Sequence, residues 1–266
     1  MMRALLMTLA LMPLRTPAQN SGKPAMAPYV MDDSSIRTAV PKWLDNPTVA
    51  EAEYGHISTW DTSGVTDMSE LFEDASSFNE DISAWDTSSV TTMRYMFSGA
   101  SSFNSPIGKW QVGKVTDMTG MFKAGINQPS SFNQPIGGWQ VDRVTSFYDM
   151  FRYASSFNQD LSNWRVDKAT GCPDDPTCTG QGSVAPMGFM FQDAIAFDQD
   201  LGWCVEDHTF GNPWDEYVQE AFRNTLCAST NCGVTRSCDT VDSAFSVART
   251  PAVAVVTIFA VLFGIL

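Results

Sequence analysis

The sequence predicts an α/β solenoid, a stack of strand-plus-short-helix units closed by a cap at each end, and three observations predict it. Trp60, Trp85, Trp110, Trp139, Trp164 and Trp203 recur at steps of 25, 25, 29, 25 and 39 residues. The pair Leu71-Phe72 returns in phase as Met96-Phe97, Met121-Phe122, Met150-Phe151 and Met190-Phe191. Single columns keep the same phase: Val65, Val90, Val115, Val144 and Val184; Phe78, Phe103, Phe132, Phe157 and Phe197; Ile82, Ile107, Ile136, Leu161 and Leu201. Self-similarity at a fixed period is the signature of a repeat architecture, in which each unit buries its apolar face only against the next.

Each unit reads locally as one short strand and one short helix. Val90, Met93, Met96, Phe97 and Ala100 fall at three- and four-residue intervals, the period of a helix face. Thr87 or Ser88 caps its start and Gly99 stands at its end. Asp81, Ile82 and Ser83 alternate polar and apolar, as a short strand does. Stacked strands lie about 4.8 Å apart, so five or six coils make a core of about 25–30 Å. Pro106 and Pro135, which lack an amide donor, predict an irregular sheet in two coils. Insertions at Ile126 to Pro129 and around Cys172 and Cys178 fall between columns, where loops tolerate them. Asn79, Asn104, Asn133 and Asn158, followed by Asp198, form a column whose side chains can pass hydrogen bonds between coils as a structural ladder.

The remaining segments follow in chain order. Residues 1–18 read as a signal peptide: Arg3 precedes an apolar run, and Thr16-Pro17-Ala18 offers small residues at a cleavage site. Residues 19–59 read as a linker and helical cap. Ile36, Val40, Trp43 and Leu44 form an apolar stripe with Asp33 or Ser34 as N-cap, and Asn46-Pro47 starts a second helix. The repeats span 60–203. Residues 204–240 read as a disulfide-stapled C-terminal cap in which Ala221-Phe222 echoes the Met-Phe pair. Residues 241–266 read as a polar spacer and a hydrophobic tail. Sixteen uncharged residues from Pro251 to Leu266 span about 24 Å as helix, short of a bilayer core of about 30 Å. A GPI-attachment signal with Asp242 and Ser243 in its ω region fits that tail, and a single spanning helix begun near Ala244 is the alternative. Either anchor meets a membrane through 251–266.

Export places the six cysteines in an oxidising compartment. Cys172, Cys178, Cys204, Cys227, Cys232 and Cys238 are disulfide candidates, open to fifteen pairings. Cys172 with Cys178 would clamp the long insertion, and Cys204 with Cys227 or Cys232 would staple the last coil. Zinc is the alternative, although there is no Cys-x-x-Cys pair. A net charge of −14 excludes nucleic acid as a partner.

Motifs for chemistry are sparse. His56 and His208 are the only imidazoles, and no phosphate loop, His-Glu-x-x-His or EF-hand loop occurs. Asp61, Asp67, Asp86 and Asp117 raise the question of bound calcium. However, the Asp61/Asp86 column becomes Gln111, Gln140 and Arg165, and a stacked calcium array needs repeated carboxylates. No catalytic residue, cofactor or metal is expected.

The columns "FN-x-x-I-x-x-W-x-x-x-x-V-T-x-M-x-x-MF-x-x-A-x-x-F" resemble the BspA-like leucine-rich-repeat surface proteins, a repeat family first catalogued as a domain of unknown function in mycoplasma. The resemblance covers Trp60 to Trp203, and the flanks look like the caps of eukaryotic, algal-type members. Phe147 in the Met68/Met93/Met118 column, Asp198 in the Asn column and Pro41 in the first cap helix depart from it. The resemblance implies a right-handed, leucine-rich-repeat-like solenoid on a cell surface, and some bacterial relatives act as adhesins.

The expected function is therefore a monomeric, non-enzymatic interaction or adhesion module for an extracellular protein or glycan. Glu80, Asp81, Ser83, Gln159, Asp160, Ser162 and Asp200, on exposed strand positions, form its expected binding surface. Two alternatives stand beside it: a glycan-binding module that uses the Trp column as stacking platforms, and a calcium-assisted structural surface protein.

Overall fold

A computed structural model of the chain describes residues 28–166, 169, 186–205 and 214–235. The leader 1–18, Cys172, Cys178, Cys238, His208, Asp242, Ser243 and the tail 251–266 lie outside the described residues. Among those described, no helix is long and apolar enough to cross a membrane.

The chain enters through strand β1 (Val30–Asp32), helix α1 (Asp33–Asp45) and helix α2 (Pro47–Tyr54), then a single helical turn over Ile57–Thr59 and strand β2 (Asp61–Gly64). β1 and β2 pair in parallel, and Asp61 N–H donates to Tyr29 O at 3.0 Å. The N-cap of α1 is Asp32, not Asp33 or Ser34: its carboxylate accepts from Ser34 and Ser35 N–H, and Ser35 Oγ closes the reciprocal box. The helix runs through Pro41, which lies on its exposed face. Ile36, Ala39, Val40 and Trp43 are buried, whereas Leu44 is 41% exposed. Asn46 caps α2 and Pro47 fills its first position, where a missing N–H costs nothing.

Asp33 is released to join the cap to the first repeat. Its carboxylate accepts Thr66 N–H at 2.7 Å and Thr66 Oγ1–H at 2.7 Å. In later repeats that role belongs to a carbonyl of the preceding unit. Thr66 O takes Thr91 N–H and Oγ1–H, Thr91 O takes both from Thr116, and Thr116 O takes both from Thr145. Asp33 thus imitates the coil that is missing below coil 1.

Numbered from their tryptophans, the coils lie one on the next. Met93, Tyr95, Phe97 and Gly99 donate their N–H groups to Asp117, Thr119, Met121 and Lys123 of the following coil, at 2.8–3.0 Å. Met68 to Asp74, Met118 to Ala124 and Phe147 to Tyr153 do the same, four bonds each. The intervening residues turn inward: Met96, Ser98 and Ala100 donate to the carbonyls three residues back. Isolated parallel bridges link Asp67, Thr92, Asp117 and Ser146.

This turn wall replaces the expected helix. Met93 to Ala100 form consecutive turns, and among the described residues of 65–205 no α-helix and no strand longer than a bridge occurs. A helix keeps every N–H within itself; here alternate groups must reach the next coil. The wall also requires left-handed backbone at two sites in coils 1, 2, 4 and 5 and at one in coil 3. Glu70, Tyr95, Gly120, Asp149 and Phe189 have φ between 51° and 62°, and Asp74, Gly99, Tyr153 and Asp193 between 57° and 71°. Each such non-glycine residue costs about 1–2 kcal/mol. In place of the expected strand at Asp81–Ser83 the chain is irregular and turns at Ser83, in coils with and without proline.

Bulky side chains fill the interior. One phenylalanine column runs Phe72, Phe97, Phe122, Phe151, Phe191 and Phe222 with ring centres 5.2–5.8 Å apart. A second runs Phe78, Phe103, Phe132, Phe157 and Phe197 at 5.8–6.1 Å. Within a coil the two columns touch, as at Phe97–Phe103, 3.8 Å. Phe222 continues the first column just after helix α3 (Trp214–Ala221), and a 3-10 turn over Ala228–Gly233 covers the last coil. Cys227 bonds Cys232, so neither reaches Cys204, which is disulfide-bonded elsewhere. The expected staple from Cys204 to Cys227 or Cys232 is therefore corrected.

The six tryptophans of the column are 3–4% exposed. Each donates its indole N–H to a carbonyl of the preceding turn: Trp85 to Ile57, Trp110 to Ile82, Trp139 to Ile107, Trp164 to Ile136 and Trp203 to Leu161 at 2.9–3.2 Å, and Trp60 to Gly55. Trp110→Phe keeps an aromatic filler but loses that donor and some volume. It is expected to destabilise the chain by about 1–3 kcal/mol, read from the urea midpoint of unfolding.

Candidate interaction surfaces

The seven sequence-predicted surface residues fall into two groups on one rim. Glu80, Asp81 and Ser83 close coil 1, whereas Gln159, Asp160 and Ser162 close coil 4 and Asp200 closes coil 5. Pro106 and Pro135 occupy the Asp81 position in the coils between. Asp81, Asp160 and Asp200 are exposed; Glu80, Ser83, Gln159 and Ser162 are half-buried. Each aspartate accepts an N–H two residues on, from Ser83, Ser162 and Gly202 at 2.8–3.2 Å. Those turns leave the second carboxylate oxygen of Asp81 at the surface, and donation from Ser83 holds its carboxyl below the usual carboxylate range.

Gln159 is part of the ladder instead. Asn79 Oδ1 accepts Asn104 N–H, Asn104 Oδ1 accepts Asn133 N–H, Asn133 Oδ1 accepts Asn158 N–H, and Asn158 Oδ1 accepts Asp198 N–H, at 2.8–2.9 Å. The donor in each rung is the backbone, so an acceptor oxygen is what the column needs. A column of carboxylates would supply it too, but at coil spacing their charges would repel. Asp198, last in the row, adds a single charge there. Gln134, Gln159 and Gln199 add a second bond to the same oxygens through Nε2, at 2.7–2.9 Å. Sequence reading missed this glutamine role, although "FNQ" at two rungs and "FDQ" at a third signal it.

The other acids also fasten local backbone. Asp61 and Asp86 accept from Ser63 and Ser88 N–H, Asp67 from Ser69, and Asp117 from Thr119. Among the described residues no three His, Cys, Asp or Glu side chains gather as a group able to hold a metal ion. His56 caps the turn after α2 through Ser58 and packs edge-on to Trp43. The tryptophan column offers no face to solvent, which removes the stacking platforms that a glycan-binding reading assigned to it.

The turn wall carries a surface the columns did not point to. Arg94 lies over the Tyr95 ring at 4.8 Å, and Arg152 lies over Tyr153 at 5.0 Å and Phe189 at 4.9 Å. Tyr148 meets Phe189 edge-on at 5.7 Å. Asp149, 2% exposed, holds Lys123 at 2.6 Å and Arg152 at 3.4 Å. Burial, then the Asp149 carboxylate, pushes the Tyr148 hydroxyl up. Beyond coil 2 lie Glu70, Glu73 and Asp74. Burial, then the other two charges, raises the Glu73 carboxyl.

Residues 46–129 and 124–174 match the family described as Mycoplasma protein of unknown function, DUF285. The DUF285 match runs from the α2 cap through coil 4, just under half of the chain, and carries the family-level resemblance read from the columns. The family's description names no activity. No curated protein and no solved structure matches the chain.

Two predictions test these contacts. Asn104→Ala leaves Asn133 N–H without its acceptor and Gln134 Nε2 with only the Asn104 carbonyl, and is expected to cost about 1–2 kcal/mol, while Asn104→Asp keeps the acceptor and costs less; thermal unfolding of both variants checks the order. Asp33 titrates with a consequence of known sign. Burial raises its pKa, but donors from Thr66 and Asp67 and the charge of Arg37 outweigh it and hold the carboxyl below its ordinary value. The fastening of α1 to coil 1 is then complete above the unfolded carboxyl's pKa of about 4 and is lost as pH falls through the lower folded value. The protection of α1 amides relative to their intrinsic exchange at the same pH is expected to fall on acidification below about pH 4, and Asp33→Asn is expected to show much of that loosening already at neutral pH.

Proposed function

We propose that the chain is a leucine-rich-repeat-like solenoid, exported and held at a cell surface by its C-terminal segment, where it serves as a non-enzymatic interaction or adhesion module. One observation carries this reading: among the described residues of coils 1 to 5, the aspartates and asparagines fasten local backbone at separate places rather than converging on a pocket. Catalysis needs donors, acceptors and a nucleophile or base aimed at one point. Here the carboxylates of Asp61, Asp67, Asp81, Asp86, Asp117 and Asp160 each bind an N–H two residues along, at six separate places. Repetition leaves long parallel walls, which suit an extended macromolecular partner.

The leader-like residues 1–18 and the uncharged tail 251–266 support display at a membrane surface, through a GPI anchor or a spanning helix. The cap sequences support placing the chain with the algal-type members of the resembled family. On this reading the rim of Glu80, Asp81, Ser83, Gln159, Asp160, Ser162 and Asp200 contributes contacts through its exposed carboxylates. An extracellular protein is the favoured partner; a glycan would have to be bound by these polar groups, because the indoles are buried.

Asparagine at Asp81, Asp160 and Asp200 keeps the turn-forming acceptor and removes the charge. The triple variant is expected to fold with an unchanged melting temperature, to be labelled by antibody on intact cells, and to recover at least tenfold less of the extracellular partner captured by the unaltered chain. Equal recovery by both proteins would sink the rim assignment, and absence of surface labelling would sink display.

A further inference from the structure

We propose that the turn wall of coils 2 to 5, centred on Arg94, Tyr95, Lys123 and Arg152, is a docking site for a carboxylate-rich extended segment of a partner protein. The inference rests on the interaction-protein reading and deepens it by naming a second surface and the chemistry of its partner.

Backbone conformation supplies the first argument. Tyr95, Tyr153 and Phe189 hold φ of 51°, 61° and 56°, at positions where neighbouring coils have Gly99 and Gly120. Glycine or asparagine adopts this conformation with little strain, and a bulky ring does not. Residues held in sparsely populated conformations mark positions where something other than stability has selected the side chain. A Cβ on Gly120 would run into the Tyr95 ring, so the glycine makes room for Tyr95 to lie along the wall.

Charge supplies the second. The chain carries −14 overall, yet Arg94, Lys123 and Arg152 gather on this wall, where Asp149 pairs with Lys123 and Arg152. Arg94 is exposed and stacked on Tyr95, and the buried Nε of Arg152 has no hydrogen-bond partner. Each guanidinium lies over an aromatic ring, and its planar fork of donors suits a carboxylate. Glu70, Glu73 and Asp74 on coil 1 bound this positive stretch on one side, and Asp193 on coil 5, bonded to Asn224, bounds it on the other.

Lys123 and Arg152 stand one coil apart in the same column, and Arg94 stands on coil 2 four positions earlier in its unit. Alternate side chains of an extended peptide are about 6.6–6.8 Å apart, close to the ring spacing of 5.2–6.1 Å between coils, and the long Lys and Arg side chains take up the difference. A segment with acidic residues at alternate positions therefore matches the wall. The guanidiniums cover the faces of Tyr95, Tyr153 and Phe189, so a sugar ring finds no bare platform on which to stack.

The test uses the purified full chain and a fluorescein-labelled pentapeptide with glutamate at positions one, three and five. Fluorescence anisotropy is expected to show the peptide binding at least tenfold more tightly than its glutamine counterpart, and less tightly as salt rises. Arg94→Glu, at an exposed side chain, is expected to weaken binding at least tenfold. Tyr95→Asn, which relieves the backbone, is expected to raise the melting temperature while weakening binding, an opposition that a purely structural tyrosine would not give. Equal binding of the two peptides, an unchanged affinity in Arg94→Glu, or binding of alginate oligosaccharide in place of the peptide would each overturn the proposal. Partner capture in the display experiment that persists in Arg94→Glu and is lost in the rim variant would overturn this site while leaving the interaction reading in place.

Discussion

Alternate backbone N–H groups that point from one coil to the next govern everything else in this molecule. Four such bonds per step, repeated from Met68 to Tyr153, fix the register of the stack to within a residue. Once register is fixed, each phenylalanine has to land on the phenylalanine of the next coil. Each large side chain so buried is worth about 1.5–3 kcal/mol, and that gain appears only when the neighbouring coil is in place. Hydrogen bonding supplies the geometry and apolar burial supplies the driving force. Neither suffices for a single unit, and this is why the sequence repeats.

The same constraint decides what was legible in the sequence. The period was plain because Trp, Val, Phe and Ile face inward at the same phase in every coil. The local conformation was not, because the turn wall brings side chains inward at three- and four-residue intervals just as a helix does; Met93, Met96, Phe97 and Ala100 satisfy both. Only the destination of the N–H groups distinguishes the two, and no side-chain pattern records it. Helix α1 passes through Pro41 because the proline lies on the face that packs against nothing. Asp32 outcompetes Asp33 as its cap because Asp33 is drawn away by Thr66. The Cys227–Cys232 pair was hidden among fifteen arrangements, since spacing alone does not say which cysteines the fold brings within reach.

The surface assignments divide along similar lines. The rim could be read from exposed polar positions, but half of what looked available turned out to be engaged: Gln159 supports the asparagine ladder, and each aspartate caps its own turn. The turn wall was unreadable because its signal is conformational. Tyr95, Tyr153 and Phe189 are unremarkable as letters and become conspicuous only when their φ angles are known. The tryptophans show the reverse case, a residue type associated with binding whose rings and donors are wholly engaged in the stack.

The two strands at the entrance have a consequence for the molecule's solution behaviour. Coil 1 turns the amides of Asp61, Thr66 and Asp67 back toward the entrance, and Tyr29 O and the Asp33 carboxylate are what they meet in place of another coil. A proteolytic nick that freed residues 28–45 would bare a set of unsatisfied amides above an apolar floor, the same end-face that each repeat offers its neighbour. Molecules so clipped would present an open end-face of the kind that invites association between clipped copies, so the short N-terminal segment keeps a self-adhesive surface covered.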